Sequence, residues 1–306
     1  EKQTYGRGQM GTVWNSEKGK NLIFSVFKDL SMHDVEFPFY ISMAISLAIA
    51  PIVQNDLIVY SLFAMSALWI KIYVIRQLVA TWSILLLIIL FYGSRFFPLF
   101  ELTQIRVALA TSFIVLAFLM VTKGRVKFAL LFSTISIGFH FSSIVFLPFI
   151  VFRKWHFASV ISIFFITLLT LAFFSSYTLD QLSGTLLVIA MYDEVGFGDK
   201  VNPLAVTVLL DLIMVLVGLV YWRHATQLMR QMLALQLMGV AIFYGVSEYA
   251  VLAHRFREMI SVGWVLYLAH AFQIKGMCRC YFYMLVIVNI ALYVFLFFYQ
   301  DPLFQK

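Results

Sequence analysis

Few residues in this chain have types and spacings that could do chemistry, and most carry charge inside or beside apolar runs. Arg106 stands in ELTQIRVALATS, just inside a hydrophobic stretch. An arginine at that depth costs a few kcal/mol and has a partner or a task. The small residues Ala108, Ala110, Thr111 and Ser112 that follow allow close helix packing. Two readings stand side by side: an ion pair with Glu101 or another carboxylate of the same side, and an anion clamp for phosphate through the planar guanidinium fork. His140 lies amid Gly138, Ser142 and Ser143 within KFALLFSTISIGFHFSSIVFLPFIVFRK. It reads either as a hydrogen-bonded packing residue or as a base that takes a hydroxyl proton. Arg255 and Glu258 are three apart, so they share a helix face. They are either a local salt bridge or a second cation with the carboxylate that orients it. Arg257 faces elsewhere, as a solvated or headgroup-facing charge. Tyr192, Asp193 and Glu194 precede Gly196 and Gly198 in a connecting loop. They are solvated, or they stack on and hydrogen-bond sugars.

Other chemistries lack their residues. No glycine-rich phosphate loop is present, which argues against ATP-driven transport by this chain alone. No Asp-x-Asp pair and no metal-ligand spacing occurs, which argues against a nucleotide-sugar enzyme that holds its donor through a metal, and no cofactor is expected. Cys278 and Cys280 are two apart in a basic linker and suit neither a structural disulfide nor zinc.

The elements that must position these groups are membrane helices. The chain is 62% hydrophobic and 12% charged, about half the charge of a soluble domain, and a soluble fold could not hide that surface. Candidate spans lie at 37–53, 57–75, 79–98, 102–121, 127–152, 156–175, 204–222, 233–252, 258–274 and 280–299. The expectation is an all-α polytopic membrane protein: one multispan domain over 1–306, about ten transmembrane or re-entrant helices, and a long external loop at 176–203. The net charge of +7 comes from short basic clusters between apolar runs, not from a basic face, so nucleic acid is not an expected partner.

Orientation follows from those clusters: Lys71 with Arg76; Lys123, Arg125 and Lys127; Arg153 with Lys154; Arg223 and Arg230; Lys275 and Arg279. The positive-inside rule places all of them in the cytoplasm. A single span at 127–152 would put Arg153 and Lys154 on the wrong side. The segment is therefore expected to break near His140 and return, its irregular backbone buried or lining a cavity. Glu101, the first turn of the helix bearing Arg106, the acidic loop and AHRFRE (253–258) then share the outside. The parity of 37–53 stays open, since Pro51 and Gln54-Asn55-Asp56 allow either course.

The run FELTQIRVALATSFIVLAFLMVTKGRVKFALLFSTISIGFHFSSIVFLPFIVF (100–152) resembles the central signature of the EpsG/Wzy-type polysaccharide polymerases. An acidic residue then Gln-Ile-Arg, and Phe-His-x-Ser before an aliphatic-Pro stretch, are matched by Glu101, Gln104, Arg106, His140, Ser142 and Pro148. HRFREM (254–259) resembles the later Arg-x-x-Glu element through Arg255 and Glu258. WNSEKGKNLIF (14–24) resembles the stretch after the family's first span, which implies a span before residue 1. The chain departs from the pattern in the extra apolar length between Glu17 and Lys71.

The resemblance implies a multi-pass protein of the bacterial inner membrane, similar to GT-C-type glycosyltransferases, with its site facing the periplasm. It would transfer a glycan from undecaprenyl pyrophosphate onto a lipid-linked repeat, inverting and independent of metal. His140, Glu258 and Glu101 are the implied catalytic groups. Arg106, Arg255, Gln104 and Ser142 would bind substrate and pyrophosphate, and Tyr192 and Asp193, read from the loop and not from the resemblance, would join them. Membrane lipids, a chain-length regulator and a flippase are the further partners expected. An O-antigen ligase, a flippase or transporter of lipid-linked glycans, and a multispan acyltransferase are the alternatives.

Overall fold

The computed structural model describes residues 6–7, 13–14, 56–152, 155–177, 202–247, 250–274 and 277–300. The expected span at 37–53, Arg153 and Lys154, and most of the 176–203 loop with Tyr192 and Asp193 lie outside the described residues. Two residue pairs, Gly6–Arg7 (β1) and Val13–Trp14 (β2), form an antiparallel ladder with Gly6 opposite Trp14. All else described is helix or connection.

The helices are α1 (Asp56–Leu78), α2 (Trp82–Arg95), the short α3 (Phe97–Phe100), α4 (Ile105–Thr122), α5 (Val126–Phe139), the short α6 (Leu147–Val151) and α7 (Phe157–Tyr177). They continue with α8 (Val206–Val220), α9 (Gln227–Gly245), α10 (Ala250–Ser261), α11 (Gly263–Ala271) and α12 (Met277–Phe295). Among the described residues, 3 helices are long and apolar enough to cross a membrane: Ile58–Leu78, Ile105–Thr122 and Gln227–Gly245. Six further apolar helices are shorter. The expected span 258–274 is split instead into α10 and α11, which meet at Val262.

α9 is the central helix. It packs against α7, α8, α10 and α11, and Leu228, Met232, Leu235, Gly239 and Phe243 are among its many buried residues. Glycines permit the close crossings. A Cβ on Gly245 would stand 2.6 Å from Leu171 Cβ, an atom no rotamer change can move. Gly245→Ala is therefore expected to push α7 from α9 and destabilise the protein by about 1–3 kcal/mol. Thermal unfolding in detergent measures this, and an unchanged midpoint would contradict the close crossing.

The 126–152 segment turns back. α5 is 14 residues long and His140 ends it in extended backbone (φ −152°, ψ 110°). A 3₁₀ turn over Phe141–Phe146 and α6 follow. Fourteen residues of α-helix rise about 21 Å. The six of 3₁₀ and five of α-helix that follow rise about 20 Å together, so the two arms match and neither crosses a bilayer core of about 30 Å. Gln231 Nε2, near the start of α9, donates to the carbonyls of Phe149 and Phe152 at 3.3 and 3.4 Å. Phe157 meets Trp222 edge to face at 5.6 Å.

Those contacts bring the return arm to the end of the bundle where the basic residues collect. Lys123 Nζ donates to Gln77 Oε1 at 3.4 Å, and Gln273 Nε2 donates to the Leu78 carbonyl at 2.6 Å. Tyr221 lies beside Tyr281, with ring centroids 6.4 Å apart. Arg230 stacks over Trp222 at 5.6 Å and Arg76 over Trp82 at 4.8 Å.

Lys71 departs from the expected basic cluster. It is buried, 1% exposed, seven residues before the end of α1. Its ammonium lies 2.7 Å from Glu101 Oε1 and donates to Tyr92 Oη at 2.8 Å, while Tyr92 donates to the same carboxylate oxygen at 2.6 Å. A lysine inside an apolar bundle is stable only with such a counter-charge. Glu101, expected outside, is likewise buried at 2%.

Candidate active site

Three elements bring the site together: the start of α4, the break after α5, and α10. α4 and α5 form an antiparallel pair closed at Lys123–Arg125, where Gly124 takes φ 73°. The Ser136 hydroxyl donates to the Ala110 carbonyl at 2.8 Å across this pair. Four residues further on α5, and four back on α4, the same register sets His140 against Arg106. Stacked Phe113 and Phe139, centroids 5.7 Å apart, hold the two helices there. The positive charges of Arg106 and Arg255 both act on the His140 imidazole. Arg106 and Arg255 are exposed, while His140 is half-buried.

The local backbone explains how the imidazole reaches this position. His140 N–H still closes the last turn of α5 on the Ser136 carbonyl at 2.9 Å, and the His140 carbonyl accepts from Ser143 N at 2.9 Å. The residue thus caps one helix and starts the next turn. Ser142 is half-buried, and Ser143 is buried with its hydroxyl unpartnered among the described residues. Gln104 caps α4 with φ −128° and ψ 62°, its side chain half-buried and outside the cap. The first N–H groups of α4 add their partial positive charge beside Arg106.

Glu258 is half-buried on α10 and lies in the field of Arg257, Arg95 and Arg255. Behind it stands a buried network whose Arg95 and Asp211 were not anticipated. Arg95 Nη1 lies 2.7 Å from Asp211 Oδ1, and Nη2 donates to Oδ2 at 2.8 Å, an ion pair from α2 to α8. Arg95 also donates to Asn289 Oδ1 on α12 at 3.2 Å and lies over the Phe96 and Tyr293 rings at 5.1 and 5.0 Å. The chain shows only that an arginine in one apolar run and an aspartate within another each need a partner, not that they find one another.

Arg257 corrects an expectation. Instead of a solvated or headgroup-facing charge, it is 4% exposed. Its Nη1 lies 3.9 Å from Asp211 Oδ2 and donates to Thr207 Oγ1 at 3.2 Å. Side-chain reach is the reason: α10 packs on α9, and the long Arg257 side chain extends over Phe243 to Thr207 and Asp211 of α8, where a carboxylate is available. The described contacts of Glu101 are Lys71 and Tyr92. Arg106, His140, Arg255 and Glu258 gather in one region, whereas Glu101 belongs to a separate buried cluster.

Apolar helices on this scale, with charges paired inside them, define a polytopic α-helical membrane protein. The chain belongs to the EpsG family, whose model matches residues 14–305. No curated protein and no solved structure matches it.

Proposed function

We propose that the protein is a polysaccharide polymerase. It transfers a glycan from undecaprenyl pyrophosphate to a lipid-linked repeat, on a scaffold of the GT-C type in the bacterial inner membrane. The observation that carries this reading is the meeting of Arg106, His140 and Arg255 at a break in membrane helices. Family membership supports a role in polysaccharide polymerisation. The basic end of the bundle is assigned to the cytoplasm by the positive-inside rule, which turns the site to the periplasm.

In the proposed reaction an acceptor sugar hydroxyl attacks the anomeric carbon of the donor from the face opposite the diphosphate. A new C–O bond forms, the bond to the diphosphate breaks, and the diphosphate-lipid leaves with the electron pair. The configuration inverts. Arg106, the α4 N-terminus and Arg255 stabilise the negative charge gathering on the leaving group. His140 takes the hydroxyl proton, with Glu258 as the second candidate base. Gln104 and Ser142 hold substrate hydroxyls. Glu101 keeps the start of α4 in place through Lys71. Tyr192 and Asp193 contact sugars from the loop. A chain-length regulator and a flippase act beside the protein.

The test is chain extension by purified protein in nanodiscs supplied only with lipid-linked repeats. Products longer than two repeats are expected. A transporter would extend nothing. In cells, deletion is expected to leave single repeats on the lipid A core, whereas a ligase deletion would leave none. Asp193→Asn is expected to slow extension by less than about tenfold, because a solvent-screened contact contributes about 1 kcal/mol or less. A loss of a hundredfold would move Asp193 into the reacting centre.

A further inference from the structure

Helix α10 carries cations on two sides. At about 100° per residue, Arg255 and Arg257 stand about 200° apart, with Glu258 between them. Arg255 acts on His140, and Arg257 reaches Asp211 and Thr207 of α8. The two guanidiniums therefore serve different sides of one helix.

Arg257 is also under-bonded. A guanidinium has five N–H donors. Arg257 makes one described hydrogen bond, to Thr207, and its buried Nε has no partner among the described residues. The carboxylate of Asp211 stands 3.9 Å away; its Oδ2 accepts from Arg95 Nη2, and its Oδ1 lies 2.7 Å from Arg95 Nη1 without a hydrogen bond among the described residues. Buried charged donors are rarely left in this condition. The Phe243 ring, 5.5 Å from the Arg257 guanidinium carbon, covers one side. The charge is nonetheless felt by half-buried Tyr244 and His254. Tyr244 donates to the Pro203 carbonyl at the end of the bundle where α8 begins, so Arg257 lies near that end and not at the basic one.

We propose that Arg257 forms a second anion subsite, across α10 from Arg255, which takes a phosphate group of the second lipid-linked substrate. The identity of that substrate rests on the polymerase reading, whereas the subsite rests on Arg257 itself. Two diphosphate-bearing molecules must be held at once for one to be transferred to the other, and a single helix with a cation on each side would keep the two anions apart. Asp211 and Arg95 act as positioning residues, fixing Arg257 without saturating it.

Binding of inorganic pyrophosphate to the protein in phosphatidylcholine nanodiscs, followed by calorimetry, tests the subsite without turnover. Two equivalents are expected for the unaltered protein and one for Arg257→Gln, with Arg255→Gln losing the other. Arg95 still balances Asp211 in Arg257→Gln, so the fold is expected to persist. Should it unfold, Arg257→Lys decides, with one equivalent weakened about tenfold. A single equivalent in the unaltered protein overturns the subsite, as does unchanged binding by Arg257→Gln or, where that variant unfolds, by Arg257→Lys. Two equivalents without chain extension would reject the polymerase and leave the subsite standing. Chain extension with one equivalent would do the reverse.

Discussion

Replacing Arg106 by alanine is expected to abolish long polymer while leaving the protein in the membrane at its normal level. The side chain is exposed, so its loss opens no cavity. α4 stays anchored by Val107, Ala108, Leu109 and Ala110, all buried. What disappears is a cation set against His140 by the Ser136–Ala110 register. Removing one preorganised donor to a developing anion costs about 10²–10³ in rate, which would reduce polymer to short oligomers. Arg106→Lys should recover part of the rate, because it keeps the charge but not the planar fork. Polymer length in cells, read with protein level by immunoblot, checks both variants. Full-length polymer from Arg106→Ala at normal abundance would remove Arg106 from the mechanism.

The second large effect is on stability. Lys71→Ala or Glu101→Ala should leave little folded protein. Each leaves a charge alone in an apolar interior, at a cost of about 3–5 kcal/mol, a large share of a typical total stability of about 5–15 kcal/mol. Glu101→Gln should be milder, since the amide oxygen still accepts from Lys71 and Tyr92. The triple variant Lys71→Met, Glu101→Leu and Tyr92→Phe should restore much of the protein, because apolar residues of similar volume replace buried ion pairs at little cost and no hydroxyl is left without its partners. Unfolding midpoints in detergent and membrane abundance measure the series. The series also separates the two roles open to Glu101. If Glu101→Ala keeps normal abundance and midpoint but loses activity, the carboxylate belongs to the chemistry and not to the scaffold.

These two predictions differ in how far the chain alone foretold them. Arg106, His140, Arg255 and Glu258 were singled out because charge at membrane depth is costly and so calls for a reason. The break at His140 was legible for a related cause: the basic residues on both sides of 127–152 demand an even number of crossings. Periodicity and the positive-inside rule are local properties, and they survive without knowledge of the fold. The family signature was legible on the same stretch, and the match over residues 14–305 agrees with it.

Pairing was not legible. Lys71 looked like a cytoplasmic residue because it precedes Arg76 by five, and only the packing of α1 against α2 and α4 puts Glu101 and Tyr92 around it. Arg257 looked solvated because a helix wheel shows which residues face apart, not what the neighbouring helix offers. Asp211 and Arg95, 116 residues apart in the chain, meet only once α2 and α8 are placed. By itself the sequence determined that this chain spans a membrane, which of its residues stand at a break, and which family they belong to. The tertiary structure alone decided which of the buried charges neutralise one another, Lys71 with Glu101 and Arg95 with Asp211. Electrostatic energy depends on distance and on the medium between charges, and in a helical bundle both are set by partners far away in the chain.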